Sequence, residues 1–251
     1  MKRILISLVI VLAFVAASCG DDGDGTTTTA ASTAGNDSGA TETTAPASGD
    51  AEVAAAKSDA VVEAVPDGWT VLVTDTLASD QMIEQEVLFA PCLEGGSFDI
   101  ATVDDLSVAA INTSATAPVT GQSPLGASAS VEVRVFESEN AAADAYSVLE
   151  TVLGTTIGRE CVAASSFELL KDQLPEGASA DYRVGEYLLG SGDFGTSITW
   201  VVEMEGVELT IFLDMVAYRD GACTVFSVFM GFGELFPTPV AVSMMDAAVN
   251  A

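Results

Sequence analysis

The sequence predicts an α+β fold, in which an antiparallel β-sheet has helices packed on one face, within a single globular domain over residues 52–251. Three observations predict it. Hydrophobic residues make up 49% of the chain, more than a chain without a packed core contains. The last third alternates apolar and polar residues between short turn sequences, as antiparallel strands do. An alanine-rich amphipathic segment precedes that region and predicts a helix.

The first elements of the domain are predicted to be helical. EVAAAKSDAVVEAV, residues 52–65, favours an entry helix. PDGW, residues 66–69, is a turn that delivers Trp69 to the core. QMIEQEVLF, residues 81–89, favours a second short helix that Pro91 stops.

A strand and a helix are predicted next. ASVEVRVFES, residues 129–138, alternates so that its valines share one face while Glu132 and Arg134 share the other. Residues 139–154 then predict a helix, which Ser138 or Asn140 can cap. Its apolar face consists of Ala142, Ala145, Tyr146, Leu149, Val152 and Leu153.

Four strand-like segments fill the last third of the chain. They are DYRVGEYLLG, TSITWVVEME, GVELTIFLDMVAY and ACTVFSVFMG, separated by GSGDFG, EG and DG. Asp220-Gly221 is a type I′ hairpin signal. In the third segment, Glu208, Thr210 and Asp214 alternate with apolar residues, which predicts one dry face and one mostly wet face.

A last helix is predicted over residues 239–249. Thr238 is its candidate N-cap and Pro239 its first residue, where the fixed φ of proline suits a helix start. Met244 and Met245 are predicted to fill the core.

The N-terminus predicts export. Lys2 and Arg3 precede an apolar run that is too short to span a bilayer as a mature helix. Residues 1–18 close with Ala16-Ala17-Ser18 before Cys19, and this junction resembles a bacterial lipobox, although Ala16 stands where Leu, Val or Ile is favoured. The resemblance implies a lipoprotein signal peptide over residues 1–18 and a lipidated Cys19. Plain secretion after the small-residue triplet is the alternative.

A linker follows the lipidation site. Residues 19–51 are rich in Thr, Ser, Ala and Gly and lack apolar periodicity, which predicts a disordered tether. A flexible chain of about 35 residues has a root-mean-square span of roughly 30 to 35 Å. The linker therefore lifts the domain away from the lipid surface.

Charge and composition exclude several classes of function. The chain has 8 basic and 37 acidic residues, and two of the basic residues precede Cys19. Such a surface repels phosphate backbones, so nucleic acid is not an expected partner, and contact with the bilayer is expected through the acylated Cys19. Histidine is absent, which removes Ser-His-Asp and Cys-His mechanisms and the usual zinc sites. No cofactor is predicted.

Three motifs have a structural interpretation. GSGDFG, residues 190–195, matches a dinucleotide-binding spacing, but the β-branched residues after it favour a hairpin loop. The acid clusters at Asp104-Asp105 and Glu203/Glu205 are interpreted as solvated surface. Catalytic or calcium-binding roles for them are the alternative.

The cysteines predict one disulfide. In an oxidising compartment, Cys92 in a loop and Cys161 beyond the main helix are the expected pair. Cys223 lies within a strand segment, where a buried free thiol is common.

The order of these features carries a resemblance to known proteins. A lipobox, a Thr-rich tether, Pro66-x-Gly68-Trp69, a valine strand, an alanine-rich helix and the YRDGACTVFSVF hairpin follow one another. Over about residues 60–251 this resembles uncharacterised actinobacterial cell-surface lipoproteins. It is also similar, more distantly, to the extracytoplasmic sensor-like domain of mycobacterial serine/threonine kinases. The resemblance implies an envelope binding or sensing domain without catalysis.

The leading hypothesis is a non-enzymatic lipoprotein on the extracytoplasmic face of the cell membrane. It binds a small apolar or amphiphilic ligand, or an envelope partner protein. Apolar residues on both faces of the last strand, such as Phe226 and Phe229, predict a groove on one face. An envelope hydrolase that uses carboxylates and a structural or assembly factor of the envelope are the alternatives.

Overall fold

The computed structural model describes residues 48–75, 92, 107–119, 126–171, 174–189 and 194–251. In this part of the chain, seven strands form one antiparallel sheet and four α-helices pack on it, which confirms the predicted α+β class. The helices are α1 (Ser48–Ala64), α2 (Glu139–Leu149), α3 (Thr156–Lys171) and α4 (Thr238–Asn250). The strands are β1 (Thr70–Asp75), β2 (Ser107–Thr116), β3 (Ala127–Phe136), β4 (Ser179–Glu186), β5 (Phe194–Met204), β6 (Val207–Asp220) and β7 (Cys223–Phe232).

The strand order places β7 in the middle of the sheet. The order is β1-β2-β3-β7-β6-β5-β4, and every neighbouring pair is antiparallel. The chain builds the β1–β3 half first, crosses through α2 and α3 to the far edge at β4, and returns by hairpins to β7. The last strand therefore closes the gap between the two halves and is buried on both faces.

The helices pack on both faces of the sheet, whereas the sequence predicts helices on one face only. On the front face, α4 packs on β7 in a cluster that includes Val225 and Phe229, and α1 packs beside it on β2 and β3. On the back face, α2 and α3 pack against a cluster that includes Phe226 and Met230. Because alternate residues of β7 are apolar on both sides, both sides need cover. The groove predicted over one face of β7 is therefore wrong.

The front core contains several predicted residues. Trp69 packs edge-on against Phe236, with ring centroids 5.8 Å apart, so its predicted delivery to the core is confirmed. Met244 and Met245 are buried there, as predicted. The entry helix is also confirmed, and α1 begins at Ser48, before its predicted start.

The back layer differs from the prediction in one element. The Ser138 hydroxyl accepts a hydrogen bond from the Ala141 N–H at 3.2 Å, so Ser138 caps α2 as predicted. After α2 the chain forms a π-helical turn, Glu150–Gly154, and then the unpredicted helix α3. A Cβ on Gly158 would lie 2.1 Å from the carbonyl oxygen of Thr151, so only glycine allows α3 to start so close to the turn.

Two predicted details shift by one residue or one turn type. Helix α4 begins at Thr238, with Pro237 rather than Thr238 at the N-cap position. The β6–β7 hairpin is present, but its central residues are Gly221 and Ala222, and only Gly221 has a positive φ. A type I′ turn needs two positive φ values, so the predicted turn type is wrong here. None of the described helices is long and apolar enough to cross a membrane.

Candidate functional site

The predicted disulfide between Cys92 and Cys161 is present. The two Cα atoms are 5.6 Å apart, at the usual spacing for such a bond. The bond attaches the chain at Cys92 to helix α3, on the back of the sheet. Cys19, the predicted lipidation site, lies outside the described residues.

Cys223 is a buried free thiol on β7, as the sequence predicts. Burial raises the pKa of this thiol, although the nearby charge of Lys57 lowers it in part. Because the thiolate is the nucleophilic form, a thiol with a raised pKa is poorly suited to attack a substrate.

The predicted acid clusters do not form a site in the described structure. Glu203 and Glu205 are exposed at the β5–β6 hairpin, as expected for solvated surface, and Asp104-Asp105 lies outside the described residues. No group of three or more metal-ligating side chains that could hold an ion occurs among the residues described. In the GSGDFG motif, Phe194 and Gly195 already belong to β5, so the motif leads into a strand and not a helix.

One acid that the sequence places on a wet face is buried instead. Asp214, on the front face of β6, is only 3% exposed. Its Oδ1 atom has no hydrogen-bond partner, a condition it shares among the described residues only with Trp200 Nε1. Buried polar atoms are nearly always paired, so an unpaired carboxyl oxygen marks a candidate site.

Asp214 lies in a row of residues that runs across the front face from the sheet edge to the core. Gly185 pairs with Ser197, Ser197 with Asp214, and Asp214 with Phe229. Exposure falls along this row, since Gly185 is exposed, Ser197 is half-buried, and Asp214 and Phe229 are buried. We call these four residues the Asp214 row.

The open end of the Asp214 row is at Gly185. A Cβ built on Gly185 would have no atom within 4 Å, so the space above it is free. Glycine and serine are the smallest residues of the row, so little side-chain volume covers the sheet between the β4 edge and Asp214.

Tyr187 and Phe212 flank the row on opposite sides. Tyr187 extends β4 and donates its backbone N–H to the carbonyl of Gly195 at 3.1 Å. A Cβ on Gly195 would lie 2.9 Å from the Tyr187 carbonyl oxygen, so a glycine there lets Tyr187 approach the sheet. On the other side, Phe212 is half-buried, and exposed Arg183 lies nearer the edge. Aromatic residues thus lie on both sides of the row, Tyr187 from the end of β4 and Phe212 from β6.

The electrostatics of the row follow from burial. Burial raises the pKa of the Asp214 carboxyl, and a hydrogen bond from the Ser197 hydroxyl, which favours the charged form, opposes part of that rise. Burial and then the negative charge of Asp214 raise the pKa of the Tyr187 phenol. The carboxyl is therefore held towards its neutral form, beside a phenol that stays protonated.

A second polar cluster lies on the back face of β2 and β3, but its groups pair with one another. Arg134 forms an ion pair with buried Glu132. The Ser130 hydroxyl donates to the side-chain oxygen of Asn112 at 2.7 Å. These groups satisfy one another and therefore indicate a structural network.

The sequence predicts a solvated Asp214, because Glu208, Thr210 and Asp214 alternate with apolar residues. A signal was present in the next residues, since Met215 and Val216 are both apolar and break the alternation. A strand that is apolar on consecutive positions is covered on both faces. An acid at the start of such a run is then buried.

Comparisons with known proteins give little beyond these observations. No protein-family model matches the chain, and no curated protein matches it. Among solved structures, the chain is similar to the extracellular domain of PknH from Mycobacterium tuberculosis, with 10% sequence identity and a TM-score of 0.35. The match covers 78% of this chain and 91% of that chain. No site or activity is transferred from it.

Proposed function

We propose that this protein is a lipid-anchored, extracytoplasmic binding domain without catalytic activity, and that it holds a small amphiphilic ligand at the Asp214 row. The single observation that carries the binding proposal is the buried, unpartnered Oδ1 of Asp214 at the inner end of a row that opens to solvent at Gly185. A bound ligand would supply the missing hydrogen bond.

The shape of the row supports an amphiphile. Its inner end offers a carboxyl and the Ser197 hydroxyl, while Tyr187 and Phe212 provide aromatic surface beside it. Sites for small molecules typically combine apolar walls with a few polar groups that fix orientation. A ligand with one polar group and an apolar body fits this combination.

Two observations support export and anchoring. The junction before Cys19 has the small residues of a lipobox. The Cys92–Cys161 disulfide favours an oxidising compartment outside the cytoplasm. Two or three acyl chains on Cys19 would anchor the chain stably in a membrane leaflet.

The chemistry of the described residues supports binding over catalysis. The chain has no histidine to act as a general base. Hydrolysis by carboxylates needs a pair of acids. The pKa of the Asp214 carboxyl is raised, but no second carboxyl lies opposite it in the row. Its neighbours in register are a serine and a phenylalanine.

The binding proposal is tested by native mass spectrometry of the protein purified from its own host. A small molecule that co-purifies with the wild-type protein and is lost from Gly185→Phe supports it, because that side chain would close the open end of the row. Ser179→Phe, on the same face of β4 but opposite Glu203, is the matched control and should retain the molecule. Protein without any bound small molecule, or retention in Gly185→Phe, contradicts the proposal.

Anchoring is tested separately by metabolic labelling with a fatty-acid analogue. The wild-type protein should incorporate the label and sediment with membranes. Cys19→Ala should lose both properties. Label that persists in this variant would contradict the assignment of Cys19 as the lipidated residue.

A further inference from the structure

We infer that the Asp214 row takes a cationic amphiphile, whose ammonium group pairs with the Asp214 carboxylate and whose apolar body lies over the row. This inference rests on the proposed function and specifies the class of ligand. Three features of the row together favour an ammonium headgroup over a hydroxyl or a carboxylate.

The first feature is the hydrogen-bonding state of the carboxyl. The Ser197 hydroxyl forms a hydrogen bond with the Asp214 carboxyl. The Oδ1 atom of that carboxyl has no hydrogen-bond partner. An ammonium group carries three N–H donors and no acceptor, so it matches an unpaired carboxylate oxygen. Against the charged form of Asp214, a ligand carboxylate would place two acceptors against each other, so it is disfavoured at any pH where that form is present.

The second feature is charge. The chain carries 37 acidic and 8 basic residues, so cations are drawn to its surface from solution. Charged or titratable groups on the front face around the row include Arg183, Tyr187 and Tyr218, Asp181 further along β4, and Glu234 beside Gly231. Arg183 is the positive one among them. Arg183 is exposed and lies one row away, so its charge is screened by solvent more strongly than that of buried Asp214.

The third feature is the aromatic surface beside the carboxyl. Tyr187 lies close enough to feel the charge of Asp214, and Phe212 is half-buried on the opposite flank. Aromatic faces attract ammonium groups, most strongly where water is excluded. The same rings cover an alkyl body, so one surface serves both parts of the ligand.

Binding is then linked to a proton. The protonated Asp214 carboxyl and an alkylammonium ion form a carboxylate–ammonium pair, and the carboxyl proton passes to solvent. Affinity therefore rises with pH while the carboxyl of the free protein is protonated, by up to about tenfold per pH unit. It stops rising above the pKa of that carboxyl, because no proton is then released.

Isothermal titration calorimetry of three probes tests the inference, with the full chain carrying Cys19→Ser so that no acyl chain competes. The probes are octylammonium, octanol and octanoate, which share one apolar body. Each is titrated from about pH 5 to about pH 8, where the ammonium group stays charged. The variants are Asp214→Asn, Ser197→Ala and, as the matched control, Asp144→Asn, an exposed acid on α2 across the sheet.

The expected result is that octylammonium binds at least about tenfold more tightly than the other two probes, with affinity rising with pH. Asp214→Asn should remove both the preference and the pH dependence, while Asp144→Asn keeps them. Ser197→Ala loses a donor to the carboxylate, so its pH profile should move to higher pH. If Asp214→Asn does not fold, the shift in the pH profile of Ser197→Ala still tests the inference.

Octanol or octanoate binding as tightly as octylammonium overturns the inference, as does octylammonium binding that persists unchanged in Asp214→Asn. If that binding is nevertheless lost in Gly185→Phe, the proposed function stands with a different ligand class. Absence of binding by all three probes also overturns the inference. The native mass spectrometry described above then decides the proposed function independently.

Discussion

The ammonium nitrogen of Lys57 lies 3.1 Å from the carbonyl oxygen of Ala248 and 3.0 Å from that of Val249, so a side chain of α1 closes the last turn of α4. The carbonyls at a helix C-terminus have no partners within the helix and carry partial negative charge. Lys57 is only 5% exposed, and its position between the two helices satisfies both its own charge and these carbonyls.

Lys57→Met should therefore destabilise the domain, because it keeps most of the side-chain stem but removes every donor. Leaving buried carbonyl oxygens without partners costs about 1 to 3 kcal/mol. Urea unfolding followed by circular dichroism measures the change. Lys171→Met is the control, since Lys171 is exposed and its ammonium group contacts Glu168 and the Phe167 ring on the helix surface. Equal effects of the two variants would contradict the role of Lys57.

Asp214→Asn should change how stability depends on pH. The pKa of the Asp214 carboxyl is raised above its unfolded value of 3.8, so the folded state binds this proton more tightly than the unfolded state. The stabilisation from this proton is complete below pH 3.8 and is lost as the pH rises through the folded pKa. The wild-type protein should thus lose stability relative to the variant between acidic and neutral pH.

The measurement for Asp214→Asn is the difference in unfolding free energy between variant and wild type at a series of pH values. Other carboxyl groups titrate in both proteins and cancel in that difference. Asp144→Asn, at an exposed acid on α2, is the control for the loss of one surface carboxylate. A flat difference for Asp214→Asn would show that its carboxyl is not perturbed by burial.

Removal of the Cys92–Cys161 disulfide should destabilise the domain by about 4 kcal/mol, because it closes a loop with a sequence separation of 69 residues. The double variant Cys92→Ser/Cys161→Ser tests this by urea unfolding. A reductant should weaken the wild-type protein and leave the double variant unchanged. Peptide mapping without reduction provides the check on pairing, and a linked Cys161–Cys223 peptide would refute it.

Substitution by alanine should lower stability at one glycine and leave it nearly unchanged at another. In Gly158→Ala, the new Cβ would lie 2.1 Å from the Thr151 carbonyl oxygen, a backbone atom that cannot move without shifting the π-helical turn. Overpacking of this kind costs about 1 to 3 kcal/mol or more. Gly185→Ala meets no atom within 4 Å and should leave the melting temperature nearly unchanged. A tolerated Gly158→Ala would mean that α3 can separate from the turn.

The hairpins and the main helix could be predicted from sequence because their signals are local. The Ser138 cap and the apolar face that includes Ala142 and Val152 lie within one short segment. The period-two pattern of β5 to β7 is similarly contained in each strand. Strands β1 and β2 were not predicted, since small and polar residues such as those of Ser107–Thr116 give weak alternation.

The candidate site could not be predicted because it depends on strand order. β6 lies between β5 and β7, and Tyr187 comes near Asp214 from the end of β4. The sequence pattern around Asp214 describes one strand in isolation, where its side chain would be on the solvated face. Which helices cover which face is decided by the crossing of α2 and α3 to the back of the sheet, a long-range property.

Strand β7 contributes Phe229 to the front core and Phe226 to the back core, so each layer of helices depends on the same backbone. If one layer of helices unfolded alone, it would expose one face of β7 and so weaken the strand on which the other layer packs. The two tryptophans report on this coupling, since Trp69 belongs to the front and Trp200 to the back. Their fluorescence should therefore change at one common denaturant concentration, as in a single cooperative transition.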